Sequence, residues 1–126
     1  MDVRGQRVIE EWRKDLEERQ RGQLDSKLVQ LESFGPEELK GTKFCSRLTG
    51  GLWKLRVKTK NVEARLIFCK GPIENDREVT LLMGAMERDR KLVPEDALNQ
   101  AGVRLREVSQ FPEERRAKWR DKNKAE

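Results

Sequence analysis

Apolar and basic side chains alternate along one stretch in the middle of the chain. Its sequence is Trp53-Lys54-Leu55-Arg56-Val57-Lys58-Thr59-Lys60. Successive side chains of a β-strand point to opposite faces, so the pattern predicts a strand with one apolar face and one row of cations. Period-two patterns separated by turn residues predict four strands in all: Lys43–Leu48, Leu52–Lys58, Ala64–Cys69 and Glu78–Gly84. In the last of these strands, Val79, Leu81 and Met83 are expected to share one face.

The N-terminal third of the chain has a helical period instead. Its apolar residues recur every three or four positions, at Val8, Trp12 and Leu16 and again at Leu24, Leu28 and Leu31. The spacing predicts one long helix interrupted near Gly22, or two helices in sequence. Gly35-Pro36 is expected to end this region, because the residue before proline disfavours the helical conformation.

A second helical pattern follows the strands. Pro94 suits a first helical position, and the apolar stripe behind it consists of Ala97, Leu98, Ala101, Leu105 and Val108. Phe111-Pro112 is expected to end this helix. Residues 113–126 carry many basic side chains around Trp119, which predicts either a final helix or a solvated basic tail.

This order of elements predicts an α+β fold, with N-terminal helices, an antiparallel sheet of about four strands and a C-terminal helix. The short connections favour antiparallel neighbours. We expect one domain over residues 1–110, with residues 111–126 as the basic helix or tail. The helices are expected to cover one face of the sheet and to leave the other face open.

Composition narrows the functional classes. The chain has 126 residues, of which 35% are hydrophobic and 40% charged, so it has room for one small core under a densely charged surface. Two cysteines and no histidine predict neither a disulfide scaffold nor a metal site, and no cofactor is expected. No apolar run has the length of a membrane span, and we expect a cytoplasmic protein.

The net charge of +5 reflects 28 basic and 23 acidic residues, so the position of the cations matters more than their number. Residues 54–70 hold six cations and one acidic residue, Glu63. With Leu66 and Phe68 facing the core, Arg65 lies on the same open face as Arg56, on the neighbouring strand. Lys54 and Lys58 are expected on the same open face, and we expect Arg88, Arg90 and Lys91 to converge on the same concavity.

Such a cationic surface suits binding or cleavage of a phosphodiester, although rows of Lys and Arg also keep ordinary sheets soluble. The chain contains no His and no Tyr, two common acid–base residues in RNA cleavage. A cleavage mechanism must therefore use lysine, arginine, a carboxylate such as Glu63 or Glu87, or groups of the RNA and its surroundings.

Three segments together resemble a known family. They are Gly51-Leu52-Trp53-Lys54-Leu55-Arg56, Ala64-Arg65-Leu66-Ile67-Phe68 and Val79-Thr80-Leu81-Leu82-Met83-Gly84, followed by a basic loop into Pro94. In order and spacing, over about residues 44–108, they are similar to the phage-derived branch of the HigB/RelE toxin superfamily.

The resemblance implies a small α+β, metal-independent endoribonuclease that enters the ribosomal A site and cleaves translated mRNA. It also implies a helix-turn-helix antitoxin as partner. On the matching positions, Arg56, Arg65, Arg88 and Lys91 become the candidate catalytic residues, and Lys54, Lys58, Lys60 and Arg90 the candidate RNA-binding residues. Two alternatives stay open: a catalytically silent protein that binds nucleic acid or a protein partner through its basic face, and a partner interface made by the N-terminal stripe and Trp119.

Overall fold

The chain folds around one mixed sheet with helices on both of its faces. The computed structural model describes residues 1–58, 62–114 and 116–119, and within them it has three helices and seven strands. The helices are α1 (Arg7–Lys14), α2 (Glu18–Leu39) and α3 (Ala97–Gln110). The strands are β1 (Asp2–Gly5), β2 (Cys45–Arg47), β3 (Leu52–Lys58), β4 (Glu63–Lys70), β5 (Glu78–Arg88), β6 (Lys91–Val93) and β7 (Ala117–Lys118). The predicted α+β class is confirmed.

Six strands follow one another across the sheet in the order β2-β3-β4-β5-β1-β7, and β6 pairs with β5 outside this path. The predicted run from β2 to β5 is confirmed as an antiparallel meander. The sequence pattern missed β1, which pairs with β5 in parallel, and the short strands β6 and β7. Four strands were therefore too few, because two- to four-residue strands are too short to show a period.

The helices α1 and α2 pack on one face of the sheet, here called the α1/α2 face. The core on this side joins Leu24, Leu28 and Leu31 of α2 to sheet residues that include Leu55 and Phe68. The apolar stripe of α2 is thus confirmed. In the preceding segment Trp12 and Leu16 belong to this core as predicted, but Ile9 is buried in place of Val8, which is exposed.

The alternative of two helices in sequence is confirmed, but the break between them does not lie near Gly22. The two helices separate at residues 15–17, and α2 passes through Gly22 without interruption. At Gly35 the backbone turns left-handed, with φ 77°, and α2 then resumes to Leu39. Pro36 has no N–H to donate to the carbonyl oxygen of Glu32, and the amino group of Met1 donates to that oxygen instead, at 2.6 Å.

The opposite face of the sheet, here called the α3 face, is not left open as the sequence predicted. Ala97, Ala101 and Val108 of α3 cover an apolar half of this face. The sheet residues beneath the helix are Leu52, Ile67, Cys69, Leu82, Met83 and Ala85. The other half of the α3 face carries charged side chains, described below.

A β-bulge in β5 explains why this second apolar surface was missed. Ile67 pairs with Met83 and Phe68 pairs with Leu81, so Leu82 is an additional residue in β5. Val79 and Leu81 face the α1/α2 core as predicted. Met83, which was expected beside them, is turned to the α3 face.

The last described residues belong to the sheet and its core. β7 pairs with β1, and Trp119 is buried in the α1/α2 core. The buried Arg116 guanidinium donates to the Glu78 carboxylate at 2.9 Å. Burial opposes ionisation of Glu78, but the hydrogen bonds from Arg116 and from backbone N–H groups lower the pKa of this carboxyl. Residues 116–119 are therefore not the predicted basic tail, whereas residues 115 and 120–126 lie outside the described residues.

The burial of these residues bears on the alternative in which the N-terminal apolar stripe and Trp119 form a partner interface. Trp119 and the leucines of α2 are used in the core, so they do not form a free apolar surface. Within the described ranges, no helix is long and apolar enough to cross a membrane.

We predict that the contact between Trp12 and Gly84 is a critical packing point. A Cβ at Gly84 would collide with the indole ring of Trp12, whereas a Cβ at Gly22 would meet nothing within 4 Å. Gly84→Ala should lower the free energy of unfolding by about 1–3 kcal/mol through overpacking. The control Gly22→Ala should raise it by about 0.5–1 kcal/mol, because alanine favours the helix. Urea unfolding of both variants tests this, and equal effects would contradict the predicted close packing.

Candidate functional site

Arg56 and Arg65 lie directly opposite each other on β3 and β4, as predicted. Both neighbours of each arginine along its strand face the α1/α2 core, so both guanidiniums lie on the α3 face. Their side chains are 36% and 20% exposed, beyond the half that α3 covers. Two like charges opposite each other in a sheet destabilise it unless a counter-charge is present.

Glu63 supplies this counter-charge by binding both arginines. Its Oε1 accepts hydrogen bonds from Nε and Nη2 of Arg56 at 3.0 and 2.6 Å, and its Oε2 accepts one from Nε of Arg65 at 2.7 Å. Nη2 of Arg65 donates to Oε2 of Glu87 at 2.6 Å. Arg56, Glu63, Arg65 and Glu87 thus form a continuous ion-paired row across three strands, here called the arginine–glutamate chain.

The protonation of Glu63 reflects these contacts. Burial opposes ionisation of its carboxyl, but the hydrogen bonds from Arg56 and Arg65 outweigh burial and lower the pKa to about 2. The hydrogen bond to Glu63 in turn raises the pKa of Arg56. Glu63 is therefore ionised near neutral pH.

Lys54 lies on the same face, two residues before Arg56 on β3, and is half-buried. No carboxylate of the described residues lies within ion-pair distance of its ammonium group. Burial lowers the pKa of Lys54, and the positive charges of Arg65 and Arg56 lower it further. A lysine of this kind is better suited to proton transfer than an exposed one.

The predicted cations of the last loop are not brought to the same face. β5 and β6 form a hairpin in which Arg88 pairs with Lys91, and Arg90 lies in the turn. Glu87 belongs to the α3 face, so the alternation of side chains places Arg88 and Lys91 on the α1/α2 face. The four candidate catalytic residues are thus split into two pairs.

The split cations nevertheless share one end of the sheet. Lys58 pairs with Glu63, and Glu63 pairs with Glu87, one residue before the β5–β6 turn. The hairpin cations and Lys58 are all exposed. This group of Lys58, Arg88, Arg90 and Lys91 is here called the cationic sheet end. Lys60 lies outside the described residues.

Sequence reasoning named Glu63 and Glu87 as carboxylates but missed their role as partners of the arginines. The signal was present, because Glu63 and Arg65 are two residues apart on one strand and must share a face. Two grooves, of about 370 and 290 Å³, lie beside α3 and β7 and contain none of the predicted site residues. Among the described residues, no group of three His, Cys, Asp or Glu side chains could hold a metal ion.

Comparisons of the chain with protein-family models, with curated proteins and with solved structures each find no match.

We predict that Glu63 makes the fold sensitive to acid. Its folded pKa of about 2 lies below the ordinary value of 4.5, so its ionised form contributes stability above about pH 4.5. That contribution, at most about 3 kcal/mol, is lost as the pH falls towards the folded pKa. Urea unfolding near pH 7 and near pH 3 should show a weaker pH dependence for Glu63→Gln than for the wild type. Glu95→Gln, a change at an exposed carboxylate, should keep the wild-type dependence, and an unchanged dependence in Glu63→Gln would contradict the prediction.

We also predict that Arg90 destabilises the β5–β6 turn. Asp89 and Arg90 have positive φ values of 50° and 68°, a conformation that two-residue hairpins usually give to Asn-Gly or Asp-Gly. Arg90→Gly should therefore raise the free energy of unfolding by about 1 kcal/mol, whereas Arg90→Lys should leave it unchanged. Thermal unfolding of the two variants checks this. A less stable Arg90→Gly protein would show that the Arg90 side chain stabilises the hairpin.

Proposed function

We propose that this protein is the toxin component of a toxin–antitoxin system and cleaves mRNA on the ribosome. The observation that carries the proposal is the facing pair Arg56 and Arg65 on an accessible sheet surface, with Lys54 beside them. Arginine binds phosphate oxygens in a bidentate manner and stays ionised, which suits stabilisation of a developing negative charge. The resemblance of β3, β4 and β5 to the HigB/RelE toxins supplies the biological context.

The proposed reaction is a transesterification within the RNA. The 2′-oxygen attacks the adjacent phosphorus while its proton passes to a base, and a pentavalent phosphorane forms. The bond from phosphorus to the 5′-oxygen then breaks, and that oxygen takes up a proton. The products are a 2′,3′-cyclic phosphate and a 5′-hydroxyl end. No metal or cofactor takes part in this scheme.

In this scheme Arg56 and Arg65 neutralise the phosphorane oxygens. Lys54, whose pKa is lowered, is the side chain best placed to exchange a proton with the reacting groups. The exposed cations Lys58, Arg88, Arg90 and Lys91 lie at the end of the sheet. In this scheme they bind the phosphates that flank the cleaved one. This assignment moves Arg88 and Lys91 from catalysis to binding.

A second candidate function is binding without cleavage. It is favoured by one observation, namely that both guanidiniums are already paired with Glu63 or Glu87. The arginine–glutamate chain has no net charge at rest, so an incoming phosphate competes with a carboxylate. Under this alternative the cationic sheet end holds nucleic acid or an acidic protein, and expression of the protein is harmless.

Induced expression in a bacterial host tests the first candidate against the second. Wild-type protein should arrest growth and create new 5′-hydroxyl ends within translated regions, mapped by primer extension. Lys54→Met keeps the apolar stem and breaks no ion pair among the described residues. It should reduce cleavage by about 100-fold, the usual effect of losing an acid–base group.

Arg106→Met is the matched control, since it removes an exposed cation from α3, away from the arginine–glutamate chain. This variant should remain as toxic as the wild type. Circular dichroism confirms that each variant is folded. Harmless expression of folded wild-type protein, without new mRNA ends, would reject cleavage and favour the binding function.

A further inference from the structure

The two carboxylates of the arginine–glutamate chain are held very unequally. Glu63 is 10% exposed and accepts three hydrogen bonds from two guanidiniums. Glu87 is 24% exposed and accepts one hydrogen bond from a guanidinium, from Nη2 of Arg65; its other neighbour in the chain is the carboxyl group of Glu63. Charge-assisted hydrogen bonds are strong, and a partly exposed single ion pair contributes little, so Glu87 is much the easier of the two to displace.

The Glu87 carboxylate occupies a place beside Arg65 in which another anion could bind. A phosphate group presents two oxygens to a guanidinium, as a carboxylate does, and it carries charge at neutral pH. Because Glu87 ends its contact at Nη2, a phosphate in its place can bind the outer edge of Arg65 while Nε stays on Glu63. Arg56 lies directly opposite Arg65 on β3, and the charge of Glu87 contributes to the raised pKa of Arg56, so an anion in the place of Glu87 also acts on Arg56.

We infer that the Arg56–Arg65 pair is a phosphate-binding site in which Glu87 is the resting, exchangeable occupant and Glu63 is the positioning residue. This inference rests on the proposed function in one respect only, namely that the phosphate belongs to an RNA strand. The site itself recognises a phosphate group, whether from RNA or free in solution.

Glu63 acts through the arginines and does not touch the ligand. Without it, the two guanidiniums repel each other across the β3–β4 pair and lose their common orientation. With it, one carboxylate oxygen fixes each arginine, so the ligand meets a preformed pair of donors. Loss of the Glu63 charge should therefore weaken phosphate binding, although it makes the surface more positive.

Two substitutions with the same change of charge test this inference. The probe is inorganic phosphate, titrated at constant ionic strength while nitrogen-15 NMR follows the Nε–H signals of Arg56 and Arg65. Glu87→Gln should bind phosphate about fivefold more tightly than the wild type, because the competitor is gone. Glu63→Gln should bind it about fivefold more weakly, because the donors are no longer held.

Glu95→Gln is the control for general electrostatics, since it removes one exposed negative charge that is not part of the arginine–glutamate chain. It should change phosphate affinity less than about twofold. If all three variants bind more tightly by the same factor, the effect is general charge and the inference is wrong. Absence of any shift at Arg56 and Arg65, in the wild type and in Glu87→Gln, would also overturn it.

A second arm identifies the source of the phosphate. A 2′-O-methylated RNA oligonucleotide cannot be cleaved through its 2′-oxygen, so its affinity reports binding alone. If the variants bind this oligonucleotide in the same order of affinity as they bind inorganic phosphate, the ligand is the RNA backbone. If the order differs, the site binds free phosphate. If the variants show the predicted order of phosphate affinities but expression is harmless, the phosphate site is supported and only the nuclease activity is rejected. If expression is toxic but the affinities do not show this order, only the phosphate site is rejected.

Discussion

The charged half of the sheet depends on one carboxylate held between two arginines. Pairing β3 with β4 to bury Leu55 and Leu66 obliges Arg56 to face Arg65, because the register that aligns the apolar residues also aligns the cations. The hydrophobic gain from the buried face is large, whereas the repulsion falls on a surface that water still reaches. Glu63 removes this repulsion from a position on the same strand as Arg65, without help from a distant element.

The compensation has a chemical consequence. Burial alone would favour a neutral Glu63, but three hydrogen bonds from cations keep it ionised, with a pKa of about 2. An ionised Glu63 holds both guanidinium groups through direct hydrogen bonds. A structural solution to charge repulsion thereby produces the rigid donor arrangement that a phosphate ligand needs.

Much of this arrangement was predictable from the sequence, and the rest depended on contacts between distant residues. The alternation in β3 and β4 predicted the facing arginines, since a half-buried strand fixes both face and register. The bulge at Leu82 left no signal in the period, so Met83 was placed on the wrong face. The turn at Asp89 and Arg90 contains no glycine, so the sequence did not reveal a tight hairpin, and Arg88 and Lys91 were expected to converge with the two arginines.

Binding and proton transfer are linked at this surface through the same charges. Burial lowers the pKa of Lys54, and Arg65 and Arg56 lower it further, so the groups that attract a phosphate also make the Lys54 ammonium group a stronger acid. A bound phosphate brings negative charge next to the lysine and pushes its pKa back up. With the phosphate bound, Lys54 therefore carries its proton as the reaction begins. A protonated lysine beside the scissile phosphate suits donation of a proton to the leaving 5′-oxygen, which gives Lys54 the role of general acid in the proposed reaction.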